Sequence, residues 1–307
     1  MSLRYVVLIF IFLLGANSCA TSADKSTENN FPQATKGHKE HKIRNKGTEQ
    51  ADHADQASSV VVYKTVNAIN LKLNVYQPST SERSKDKQTA IVFFHGGAWS
   101  EGAPVQFQRQ ALYLAQRGIV SITAEYRLQK LHGTTPFEAV ADAKSAIRWL
   151  RAHAADLRID PNKIIASGGS AGGQLAVATA VVDGDNDPSD NLTVSATPNA
   201  LVLFNPVLDM QRWQKKFGVD MQAISPLQQL HKALPPTIIF HGTSDKVAPY
   251  PITVKFVNKA QSINSSNVRL VSYDKREHAF YNKDDDENSD FKTTLKQTYD
   301  FIMSLGW

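Results

Sequence analysis

The chain has 307 residues, a formal net charge of +5, 42% hydrophobic residues and 21% charged residues. Those proportions fit a globular enzyme built on one α/β domain of ~250 residues better than two small domains. The modest positive charge forms no basic cluster interleaved with aromatics, which argues against nucleic acid as a partner. The single cysteine excludes an intrachain disulfide and any cysteine-based zinc site.

Taken in order, the chain opens with Met1-Ser2-Leu3-Arg4 and an apolar run from Tyr5 to Leu14. A short cationic start and a ~10-residue apolar core are the marks of a secretory signal, too short to span a bilayer as a stable helix. Residues 1–19 are therefore expected to direct export to a bacterial cell envelope. Leu14-Gly15-Ala16-Asn17-Ser18-Cys19 resembles a lipobox, which would place a lipid on Cys19 and attach the protein to a membrane. Ala16 and Asn17 depart from the usual pattern, and ordinary cleavage after Ala20 is the alternative. Residues 20–59 are polar and lack apolar periodicity, so they are expected to form a disordered linker. Nothing orients His38, His41 and His53 there toward a metal.

The folded domain is expected over residues 60–307. Segments 60–66 and 71–76 alternate apolar with polar residues and read as an antiparallel hairpin. Residues 90–94 are apolar throughout, as a strand buried on both faces requires. From there strands at 119–124, 163–167, 200–204, 236–240 and 268–273 alternate with helices at 105–117, 136–155, 171–182, 251–261 and 290–305. That rhythm predicts an α/β fold with a mostly parallel sheet and helices on both faces. The connection 206–234 carries Trp213, Phe217, Met221 and Leu227 and suits a small lid.

Gly168-Gly169-Ser170-Ala171-Gly172 sits between a predicted strand and a predicted helix. Lifting one serine above a sheet edge needs a sharp turn with no bulk at its flanks, so Ser170 is the candidate nucleophile. A serine hydroxyl needs a base. His278 follows the last strand, at the edge where parallel sheets bind ligands, whereas His132 and His153 lack that placement. Asp245, after the preceding strand, is the acid expected to orient the imidazole, ahead of Asp209. The order Ser170, Asp245, His278 is that of α/β-hydrolases. The loop His95-Gly96-Gly97-Ala98-Trp99 follows an apolar strand, and its amides can form an oxyanion hole. Gly97, Ala98 and Ala171 are the expected donors, with Gly96 a substitute and His95 a structural residue of the turn. Trp99, Trp213 and Tyr281 are candidate pocket residues. Asp284-Asp285-Asp286-Glu287 lacks the glycine turn of a calcium loop and reads as a solvated acidic segment.

Together with Glu125-Tyr126-Arg127-Leu128, the run from Asp142 to Leu150, His241-Gly242-Thr243-Ser244-Asp245 and His278-Ala279-Phe280, these motifs resemble the α/β-hydrolase esterase/lipase family. Within it they are similar to the hormone-sensitive-lipase-like group and to bacterial acetyl-xylan and feruloyl esterase-type proteins. The resemblance implies an eight-stranded α/β-hydrolase sheet with a small cap or none. It implies a serine carboxylesterase for short acyl esters, with acetyl or feruloyl groups on carbohydrate as candidate substrates, and no cofactor. Ala98 replaces the third glycine of the His-Gly-Gly-Gly form, and no large helical cap precedes Val60. A peptidase or lipase on the same fold, or a non-catalytic binding module, are the alternatives.

Overall fold

A computed structural model describes residues 57–79, 87–263, 265, 267–285 and 289–307. The signal segment, Cys19 and the linker up to residue 56 lie outside the described residues, as does most of the charged loop 79–88.

Eight strands form one sheet in the order β1-β2-β4-β3-β5-β6-β7-β8. These are β1 Ser59–Val66, β2 Ile69–Tyr76, β3 Gln88–Phe94, β4 Val120–Ala124, β5 Ile159–Gly169, β6 Ala200–Phe204, β7 Thr237–Gly242 and β8 Val268–Tyr273. β2 runs against both neighbours, and every other pairing is parallel. The hairpin of β1 and β2 turns at Asn67 and Ala68, both at positive φ. Each sequence-predicted strand is present. The serine strand starts earlier than expected, at Ile159, because Gln88 of β3 pairs with that residue.

The helices are α1 Gln108–Ala115, α2 Gln129–His132, α3 Pro136–Ala152, α4 Ala171–Val181, α5 Gln214–Phe217, α6 Pro226–Gln229, α7 Tyr250–Ser262 and α8 Asp290–Ser304. A 3-10 turn at Pro104–Phe107 replaces the first turn expected before α1. Alternation along β3 sorts the two faces. Ala90, Val92 and Phe94 pack with buried residues of α3, α4 and α7, while Ile91 and Phe93 pack with those of α1 and α8. All eleven residues of α4 are buried, so this helix is the spine of one layer and fixes the turn that precedes it. α3 starts with a capping box in which the Thr135 side chain and Glu138 exchange bonds with the backbone.

One ion cluster ties the hairpin to this layer. Asp142 of α3 is fully buried and accepts from Lys64 of β1 at 2.7 Å and from Arg127 Nε and Nη2 at 2.8 and 2.7 Å. Lys64 also reaches Asp187 at 2.6 Å. Between β6 and β7, residues 206–234 form α5, α6 and two 3-10 turns, a small cap above the carboxyl ends of the central strands.

Candidate active site

Ser170 occupies the turn between β5 and α4 at φ +55° and ψ −116°. A side chain at positive φ is strained and persists only where its surroundings determine it. Here the Ser170 N–H donates to Phe204 O at 3.0 Å, and its carbonyl accepts from Gln174 and Val207. The turn is thus clamped to β6 and to the segment after it.

The carboxyl ends of β7 and β8 supply the next two side chains. His278 Nε2 lies 2.9 Å from Ser170 Oγ, and His278 Nδ1 lies 2.7 Å from Asp245 Oδ2. With an anionic acceptor at Nδ1, that nitrogen carries the proton and Nε2 is left to accept from the serine hydroxyl. Asp245 Oδ1 accepts from the N–H groups of Val247 and Ala248, both at 2.9 Å. Burial pushes the Asp245 carboxyl upward, but bonds from His241, His278 and the Ala248 amide outweigh it and hold the group well below the usual carboxylate range. The side chain of Asp245 is 0% exposed and that of His278 is 20%, so the acid is sequestered while the base opens toward solvent.

Three residues outside the expected set hold this geometry. His241, fully buried at the end of β7, places Nε2 2.8 Å from Ala248 O and 3.4 Å from Asp245 Oδ2, while Nδ1 meets the Thr253 hydroxyl at 2.9 Å. Asn205 Oδ1 accepts from the Ala279 N–H at 3.1 Å and braces the loop beside His278. Gln106 Oε1 accepts from the Gly96 N–H at 2.5 Å. A sequence signal existed for His241, since a histidine ending an apolar strand must be buried and paired. None marked the two amides.

The bond from Gln106 takes Gly96 out of contention as an oxyanion donor. The N–H groups of Gly97, Ala98 and Ala171 make no hydrogen bond within the protein among the described residues. Gly97 stands at φ +126°, and a Cβ there would collide with the Glu101 carbonyl, so this turn requires glycine. Ala98 stands at φ +52°. His95 is buried against the ring of Tyr126 at 4.3 Å and bonds the Gly96 carbonyl through Nδ1 at 2.7 Å. Burial lowers its pKa to about 4, so it is neutral and shapes the turn.

These groups surround a cleft of about 370 Å³ whose walls include Gln106, Gln129, Trp213, Lys216, Val247 and Tyr281. Tyr281 is buried, its ring stacked on Phe107 at 5.7 Å, and its hydroxyl lies where a Cβ on Gly169 would be. Trp99 is not a wall residue. It is 0% exposed behind the turn, donates through Nε1 to Gln174 at 3.0 Å, and receives Trp213 and Phe217 edge-on at 5.2 and 6.2 Å. Positive φ at Ala98 and Trp99 turns that indole inward, which corrects the expectation of a pocket role. Asp209 accepts from the Gln211 N–H and remains apart from the imidazole of His278. Asp284 pairs with Arg109 and Lys292. Among the described residues no group of three or more His, Cys, Asp or Glu is arranged to hold a metal ion. A larger groove of about 600 Å³, between Thr65, Phe137 and Ser189, is lined by no histidine, and its Asp187 is engaged by Lys64 and by the Ser189 hydroxyl.

A strained serine, a base at its hydroxyl, a buried acid behind the base and unused amides beside it can carry out acyl transfer. Residues 73–260 match the family model described as BD-FAE. The chain belongs to the BD-FAE family. It is a member of the α/β-hydrolase esterases, and its eight-stranded sheet matches their fold. Esterase 2 of Thermogutta terrifontis, in its apo form, superposes with a TM-score of 0.77 at 39% identity over 82% of this chain and 96% of that one. Esterase LipC of Mycobacterium tuberculosis is 27% identical over 64% of this chain and 55% of its own length. The isoprenylcysteine alpha-carbonyl methylesterase ICME of Arabidopsis thaliana is 24% identical over 67% of this chain and 53% of its own. The chain thus spans about half the length of these curated relatives.

Proposed function

We propose that this BD-FAE member is a serine carboxylesterase for short acyl esters. The observation that carries the reading is the continuous relay from Ser170 Oγ through His278 to Asp245, beside three amides with no partner among the described residues. Ser170 Oγ attacks the ester carbonyl carbon as His278 Nε2 takes its proton. The N–H groups of Gly97, Ala98 and Ala171 stabilise the oxyanion, and Asp245 stabilises the imidazolium. Collapse of the tetrahedral species breaks the bond to the alkoxide, which leaves with the proton from Nε2. Water then attacks the acyl-enzyme, gives its proton to the same nitrogen, and releases the acid and the free serine.

Tyr281, backed by the buried ring of Phe107, walls the cleft beside Ser170, which supports a short acyl group. Structures of Thermogutta terrifontis esterase 2 with propionate and with butyrate bound support the same reading. Acetyl or feruloyl groups on carbohydrate are the proposed natural substrates. Residues 1–19 support export, with Cys19 as the proposed lipid anchor in a bacterial envelope. Mass spectrometry of the mature N-terminus tests the anchor, and an unmodified start at residue 21 would exclude it.

The enzyme should hydrolyse p-nitrophenyl acetate and react with a fluorophosphonate probe. Both activities should vanish in Ser170→Ala. Equal turnover by that variant would remove Ser170 from the mechanism.

A further inference from the structure

The cleft carries three fully charged side chains, Glu101, Lys130 and Lys216. Glu101 and Lys130 form an ion pair with each other. Lys216 has no carboxylate within ion-pair distance among the described residues. Its ammonium instead lies 3.4 Å from the Ala98 carbonyl and 5.5 and 5.1 Å from the ring centres of Trp213 and Phe217. Trp213 and Phe217 are four residues apart and both pack against Trp99, so the small cap presents Lys216 in a fixed place. The same cap surface bears Arg212 and Lys215. Its two acids do not neutralise them: Asp209 accepts from Gln211, and Asp220 from Gln214 and Gln222.

An uncompensated cation beside a reaction cleft attracts anions and raises their local concentration. Burial and the charge of Lys130 push the Lys216 pKa down against the pull of Glu101, the mark of an ammonium short of a counter-charge. Ala98 is a proposed oxyanion donor through its N–H, and its carbonyl meets Lys216, so the ammonium sits beside the proposed oxyanion site. On the carboxylesterase reading above, the acyl group is assigned to the side walled by Tyr281 and the leaving alcohol to the side that carries Lys216.

We infer that this cleft selects esters whose alcohol part carries a carboxylate held by Lys216, the chemistry of a short acyl group on a uronic acid-bearing glycan. This rests on the carboxylesterase reading above. The balance of the reaction is unchanged, since the carboxylate is recognised and takes no part in bond making.

The test compares 3-acetoxybenzoate, with its anion on the alcohol side, with neutral phenyl acetate. A second pair is mono-p-nitrophenyl succinate, with its anion on the acyl side, and p-nitrophenyl propionate. For the first pair the anionic-to-neutral ratio of kcat/KM should fall about five- to tenfold in Lys216→Gln, mainly through KM. The ratio should change less than about twofold in Lys215→Gln, which removes equal net charge outside the cleft. Raising ionic strength from about 0.02 to about 0.5 M should shrink the wild-type ratio. An unchanged ratio in Lys216→Gln overturns the inference, and so does a larger effect on the succinate pair. If wild type hydrolyses none of the four esters, the carboxylesterase reading fails, and quenching of tryptophan fluorescence by 3-hydroxybenzoate tests recognition alone. Binding weakened by Lys216→Gln then upholds the anion site, and equal or absent binding rejects it.

Discussion

His241 places Nε2 3.4 Å from Oδ2 of Asp245, the same oxygen that His278 Nδ1 meets at 2.7 Å. With Nδ1 accepting from Thr253, His241 turns its N–H toward both the Ala248 carbonyl and the carboxylate. It acts through Asp245 and is a positioning residue. His241→Phe should lower kcat about tenfold at little change in KM, equivalent to about 1.4 kcal/mol. His241→Gln, which can return a donor, should recover part of the loss. Circular dichroism and thermal melting separate this from misfolding. Equal kcat in all three proteins would show that the second imidazole is inert.

Gln106 holds the Gly96 N–H across a ten-residue span, and so fixes the His95–Gly96 peptide plane, one residue ahead of the Gly97 amide. In Gln106→Ala this amide is free to rotate, and the Gly97 and Ala98 donors lose their fixed aim. Loss of one oxyanion donor costs about 10² to 10³ in kcat, and misalignment should cost less, about tenfold. Steady-state kinetics with p-nitrophenyl acetate reads this as a fall in kcat. A fall confined to KM would make Gln106 a substrate contact.

How much of this was legible in the sequence depends on the range over which each constraint acts. Ser170, Asp245 and His278 each sit just past a strand, so motif order alone identified three loops that meet at one sheet edge. Apolar runs likewise located the central strands, because burial on both faces favours apolar side chains there, and apolar–polar alternation located the hairpin of β1 and β2. Gln106 and Asn205 bond partners 10 and 74 residues away through amides, and no local pattern encodes such pairs. Trp99 misled for a different reason. Hydropathy does not tell an aromatic behind a turn from one lining a cleft, and backbone angles at Ala98 and Trp99 decided it.

On the proposed reading Tyr281 sets the depth of the acyl site: its hydroxyl crowds Gly169, and its ring stacks on Phe107 and meets Phe204 at a tilt. Tyr281→Ala should raise kcat/KM for p-nitrophenyl octanoate relative to the acetate by about tenfold. Emptying this buried site should also cost roughly 3 to 5 kcal/mol of stability. A chain-length series of p-nitrophenyl esters, run well below the melting temperature, checks the first effect. An unchanged preference would place the acyl group elsewhere.

Asp142 is the shared partner of Lys64 and Arg127, and it also accepts from the Arg127 N–H at 2.9 Å. Asp142→Asn leaves Arg127 without its buried anion and Lys64 with Asp187 alone. Breaking such a cluster from one side costs about 3 to 5 kcal/mol. The urea midpoint should fall accordingly, with the slope of the transition unchanged. A loss below about 1 kcal/mol would mean that water reaches the cluster and screens it.

Asp187 makes part of the fold's stability sensitive to acid. Burial raises its carboxyl, but bonds from Lys64 and Ser189 outweigh this and lower its pKa from 3.8 to about 2. The folded state therefore binds this proton more weakly than the unfolded chain does. The resulting stability is fully present above about pH 4 and is lost as pH falls toward 2. The group is partly open to water, so the contribution is smaller than a fully buried pair would give. Urea titrations at pH 5, 4, 3 and 2 should show a steeper acid loss for wild type than for Asp187→Asn, which has no proton to take up. Parallel curves for the two proteins would assign the acid sensitivity to other carboxylates.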